Sequence, residues 1–181
     1  MLEELRKKLE AQLASNVDEL PVALNRGRQF LACRVAEQEL LVAVDDIREI
    51  IMPLPIAFLP KGHGQVEGVI AVRGEIMPVL NLRRMLSFSK GQLTPMTRIL
   101  IVCPEEDDFG LIVDEIVEFV WLEDKDLDPV AQSYLSNEFR VVSGLAKNSS
   151  AVRPILDVRL ILNSVFSKGD RDEKHIVQTA S

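Results

Sequence analysis

Sliding the chain past itself by 76 residues lays Gly68 on Gly144, Pro78 on Pro154, Asn81 on Asp157, Leu82 on Val158, Arg83 on Arg159 and Leu86 on Leu162 without a gap. Upstream, a slide of 69 lays Leu31 on Leu100, Val44 on Val113, Asp45 on Asp114, Ile47 on Ile116 and Glu49 on Glu118. The second copy is therefore longer by seven residues somewhere between Val120 and Val142. A repeat of this kind decides architecture before any local propensity does, and two copies predict a pseudo-symmetric double unit rather than an open array. A copy of around 65 residues buries only about 60% of its unfolded surface, so the two are expected to share an interface.

The unit repeated is strand, tip, strand, helix. Val66–Val72 and Ile76–Leu80 are apolar runs on either side of Arg73-Gly74-Glu75, and a glycine at such a tip accepts the positive φ of a tight hairpin. Asn81 then caps a short helix whose Leu82, Met85 and Leu86 share a face. Upstream, Phe30–Val35 and Leu40–Val44 read as strands around a turn at Ala36–Glu39. Ile47–Ile51 reads as a third strand after Asp45-Asp46. Pro53, Pro55 and Pro60 enforce an extended connection. The second copy reads as strands at Arg98–Cys103, Phe109–Val113, Ile116–Leu122, Glu138–Lys147 and Val152–Leu156, with a long loop to Asn137 and a helix from Asp157. Short strands at this spacing, with little helix, predict a mainly β chain folded as two small β-barrels.

Outside the repeat, residues 1–29 read as an amphipathic helix and a linker. Leu2, Leu5, Leu9 and Leu13 form its stripe, and Ser15 to Arg28, with Pro21, Asn25 and Gly27, forms the linker. Residues 166–181 read as a loose polar tail. The working domain is thus expected at 30–165, the first copy about 30–86 and the second about 98–165. A net charge of −7 argues against nucleic acid and anionic membrane surfaces as partners. No run approaches the ~20 apolar residues of a membrane span, and the N-terminus lacks a signal-peptide core, so a cytoplasmic location without membrane insertion is expected. Cys33 and Cys103 lack metal-ligand spacing, occupy non-equivalent positions in the two copies, and read as buried or semi-buried thiols.

Catalysis has little to stand on. His63 lies between two glycines and His175 in the tail, neither with an evident partner, and no nucleophile elbow, phosphate loop or dinucleotide pattern occurs. Glu105-Glu106-Asp107-Asp108 lacks the alternating ligands of a calcium loop and reads as a solvated hairpin tip. No cofactor or metal is expected. What remains is a binding surface. The duplication supplies a control here: Arg73-Gly74 faces Ser149-Ser150 in the second copy, so the tip arginine is not something the fold requires. Its guanidinium can donate a fork of hydrogen bonds to a partner. Glu49, two residues from Ile47 and from Ile51 on one strand face, sets a charge beside apolar area. The alternative is a surface ion pair among local charges, worth little.

These residues resemble a known family. Phe30–Leu41, Val44–Ile50, Val66–Ile70, Arg73–Arg83, Gly110–Asp114 and Val142–Gly144, in this order, look like CheW, the adaptor of bacterial chemotaxis arrays. The family's usual Asn-Leu-Arg-Gly stands here as Ala71-Val72-Arg73-Gly74. The resemblance implies two SH3-like five-stranded barrels and a non-catalytic coupling role. Such an adaptor holds the regulatory domain of a CheA-type histidine kinase to the cytoplasmic hairpin tip of a chemoreceptor, and CheW-like copies can associate in rings. Carried over by position, Arg73, Glu49 and Ile47 lie at or near receptor contact, and Gly74 lets the tip turn; no residue is assigned to the kinase. The altered residues before Arg73 and the long N-terminal extension point to a pathway-specific member, for instance one serving pilus-based or gliding motility. The competing reading is a stand-alone barrel that binds a small ligand or another signalling protein outside any array.

Overall fold

The computed structural model describes residues 27–59, 65–89, 91–104, 107–129, 140–148 and 151–166. The expected N-terminal helix and tail, both histidines, Glu105, Glu106, Ser149 and Ser150 lie outside the described residues. Among the described residues eleven strands and two α-helices follow in order: β1 (Gly27–Val35), β2 (Gln38–Ala43), β3 (Ile47–Ile51), β4 (Val66–Val72), β5 (Glu75–Asn81), α1 (Leu82–Met85), β6 (Arg98–Val102), β7 (Phe109–Val113), β8 (Glu115–Glu123), β9 (Leu127–Pro129), β10 (Val142–Asn148), β11 (Ala151–Leu156) and α2 (Val158–Phe166). β1 begins three residues earlier than its apolar pattern suggests, because Gly27 and Arg28 already pair with Glu123 and Leu122 of β8. The loop after β8 holds a short strand, β9, that its sequence does not announce.

The strands assemble into two sheets, ordered β8-β1-β2-β11-β10-β9 and β3-β6-β7-β5-β4. Each sheet draws strands from both sequence copies. The first takes β1 and β2 from one copy and β8 to β11 from the other; the second takes β3 to β5 from one and β6 and β7 from the other. Under the repeat the two orders are the same. The parallel joint β11–β2 (Ile155 opposite Leu41) answers the parallel joint β5–β7 (Val79 opposite Gly110). The bridge between Ala57 and Val69 answers the pairing of Asp128 with Leu145, so two of the seven extra residues fall before Asp128 and five after it.

Burial follows from this exchange. A core of twenty buried residues lies where both sheets and both helices meet, including Leu31, Leu80, Leu100, Leu111, Leu156 and Ile161. Seven buried residues around Phe30 and Leu41 fill the first sheet alone, and six around Ile70 and Ile99 fill the second. At roughly 1.5–3 kcal/mol per buried apolar side chain, most of the burial energy sits in the shared core. The helix starts repeat as well: Asn81 Oδ1 accepts from Arg83 N at 3.1 Å, and Asp157 Oδ1 from Arg159 N at 2.9 Å. Arg83 in α1 reaches Asp114, between β7 and β8, with Nε 2.9 Å from both carboxylate oxygens, and that hydrogen bonding pushes its pKa further up. The ion pair ties one copy to the other.

Candidate functional site: the rim and groove of the second sheet

The β4–β5 hairpin closes with two residues, Val72 standing opposite Glu75. Arg73 (φ 51°) and Gly74 (φ 89°) are both left-handed, as a type I′ turn requires. An arginine held in that region is uncommon. Its side chain is 76% exposed, and Nη2 donates to Glu49 Oε1 at 2.9 Å. Glu49 comes from β3, at the far end of the sheet order, so the pair closes the sheet's two ends toward one another. Exposed as it is, the pair contributes little to stability.

The ion pair sits on the rim of a larger feature. Arg48, the residue before Glu49, pairs with Asp108 and stands 3.7 Å from Glu75. Asp108 is not the solvated tip residue its acidic run suggests. Its side chain is 13% exposed, and its Oδ1 is a buried acceptor with no donor among the described residues. Beyond Arg48 and Glu75 opens a groove of about 780 Å³, floored by Met77, Pro78 and Phe109 and bounded by Leu162 and Asn163 of α2. Ile76, 76% exposed, stands at its mouth. Arg48, Glu75 and Met77 also line the small cleft under Arg73. Charged rim and apolar floor are thus one continuous surface.

Of the four residues singled out from sequence, the structure brings Arg73, Gly74 and Glu49 together. Ile47 stands apart from them, because a bulge against β6 falls between Ile47 and Glu49 and Ile47 packs on the shared core. Ile51 packs instead on the core of the second sheet. Glu49 therefore sits where the strand passes from one core to the other. Arg48, Asp108 and Ile76 escaped the sequence reading. The duplication carried a signal for the first, since Val117 stands at the Arg48 position of the second copy. It also marks a difference inside the barrels: Met77 fills the second sheet where the first buries Arg153, whose Nη1 donates to Glu118 at 3.0 Å.

Among the described residues no group of three or more His, Cys, Asp or Glu could hold a metal ion, and no helix is long and apolar enough to cross a membrane. Two pseudo-equivalent barrels on one core, with an exposed polar rim beside an apolar groove, define a protein-binding scaffold. The CheW-like domain matches residues 29–166, and the chain belongs to that family. It is 30% identical over 141 residues to the chemotaxis protein CheW of Thermotoga maritima, covering 77% of this chain and 91% of that protein. It is 27% identical over 138 residues to CheW of Helicobacter pylori, covering 76% and 83%. Protein FrzA of Myxococcus xanthus is 28% identical over 90 residues, half of this chain and 56% of that one. The fold matches the scaffolding protein TtCheW of Thermoanaerobacter tengcongensis with a TM-score of 0.67 at 24% identity, over 73% of this chain and 85% of that one. CheW-family proteins are scaffolds that couple chemoreceptors to the kinase CheA, and this chain is a coupling adaptor of that kind. The stand-alone ligand-binding barrel is not favoured.

Proposed function

We propose that this chain works in the cytoplasm, in chemotaxis or surface-motility signalling. It holds the regulatory domain of a CheA-type histidine kinase to the cytoplasmic hairpin tip of a chemoreceptor. Residues 30–165 are the working unit, about 30–86 and 98–165 being its two copies, with 1–29 and 166–181 flanking it. Barrel-to-barrel contact extends the assembly into rings. Binding both partners makes their encounter effectively intramolecular, and a receptor that shifts its own state then biases the kinase.

The receptor meets the chain at Arg73, Gly74 and Glu49, with Ile47 supporting β3 from the core. The observation that carries this reading is the Arg73–Glu49 pair itself: an arginine in a left-handed turn, exposed, and held among the described residues by one weak partner. A guanidinium so placed can exchange Glu49 for a carboxylate or backbone carbonyls of a helical hairpin lying in the neighbouring groove.

The test titrates the chain against a receptor hairpin and a kinase regulatory domain from its own organism. Arg73→Glu should weaken receptor binding at least about tenfold, a loss of ~1.4 kcal/mol or more, and leave kinase binding and the unfolding midpoint unchanged. Unchanged receptor affinity would remove the tip from the interface. Wild-type chain binding neither partner would reduce the family likeness to a likeness of fold.

A further inference from the structure

The first sheet ends in an apolar strip on the outward face of β8. Val117, Phe119 and Trp121 alternate along the strand and are 36%, 56% and 55% exposed. The equivalent positions, in β3 and just after it, are Arg48, Ile50 and Met52, so the strip is the bulkier and more apolar of the two. Among the described residues β8 has a hydrogen-bonded neighbour on one side only, β1. Exposed apolar area on such a strand invites pairing with other chains unless something covers it.

We propose that the chain's own N-terminal leucine stripe, Leu2, Leu5, Leu9 and Leu13, covers this strip. The chain enters β1 at Gly27, opposite Glu123, and Gln29 stands opposite Trp121, so residues preceding Gly27 arrive beside the Trp121 end. No such extension precedes β6, the counterpart of β1, and the less apolar β3 face is the one beside it. The lengths agree. At ~1.5 Å per residue the stripe from Leu2 to Leu13 is about 16 Å long as a helix. At ~3.4 Å per residue Val117 to Trp121 spans about 14 Å. The connecting residues 14–26 can reach about 40 Å when extended.

Trp121 is the one tryptophan of the chain, so its fluorescence reports this contact directly. In the full chain, replacing Leu5 and Leu9 together by Glu should raise acrylamide quenching of Trp121 about twofold and shift its emission to the red, because the ring face that the leucines cover returns to water. Far-UV circular dichroism recorded alongside shows that the barrels stay folded. Protection should not depend on protein concentration. Equal quenching in the full chain and the variant would overturn the proposal. So would protection that grows with concentration together with a doubled mass by light scattering, which assigns the strip to a second copy of the chain.

Discussion

Cys33 and Val102 occupy one position in the two copies, and both are fully buried in the shared core. Burial pushes the Cys33 thiol from its ordinary 9.0 up to about 12, with the charge of Asp114 adding to the effect. The folded chain therefore keeps a proton that the unfolded chain releases above pH ~9. Stability from this group is complete below that value and is lost as pH rises toward about 12, at ~1.4 kcal/mol per pH unit. Cys33→Val copies the residue already tolerated at the equivalent site and should cost less than ~1.5 kcal/mol near neutrality. Urea midpoints near pH 7 and at about pH 10–11 check this: the wild type should fall further than the variant between the two. Parallel losses would mean that the thiol ionises as freely in the fold as outside it.

Gly68 and Gly144 recur at the same place in β4 and β10, each after a bulge, and each lets a neighbouring backbone approach. A Cβ on Gly68 would stand 2.4 Å from the Ala57 carbonyl oxygen, and one on Gly144 2.9 Å from that of Asp128. Alanine should therefore cost more at Gly68, about 2–3 kcal/mol against about 1, read as the difference between their unfolding midpoints. Equal small losses would show that both connections yield freely. Features of this kind were legible in the sequence because the duplication exposes them: the Gly68 and Gly144 positions, both helix caps and the position of the strands all repeat. What escaped was pairing. Nothing local in Leu127–Pro129 marks a strand, since its partner β10 lies across a long loop. Half the candidate site escaped for the same reason: Arg48 lies in β3, Ile76 in β5 and Asp108 just before β7, and only the fold sets Asp108 against Arg48. Arg73 was legible because a turn is a local event and its replacement by serine in the second copy stands in the sequence.

At the scale of the molecule the exchange of strands makes the two sequence copies inseparable. A chain ending at residue 90 would keep the hairpins β1–β2 and β4–β5 and a lone β3, without β8 for β1, β6 for β3 or β7 for β5. Hairpins so isolated are marginal in water, and the shared core needs Leu31 and Leu80 from one copy as much as Leu100 and Leu156 from the other. Fragments 1–90 and 91–181 should each lack cooperative unfolding when alone and regain it when mixed. In the intact chain, Trp121 fluorescence, which reports the first sheet, should fall in the same urea transition as far-UV circular dichroism, which reports both. The candidate receptor face draws on this: β3 and the β4–β5 hairpin carry Glu49 and Arg73, but β6 and β7 of the other copy hold them in register. A fragment that unfolds cooperatively by itself, or two separated transitions in the intact chain, would mean that each sheet stands alone and that the rim is not held by the whole molecule.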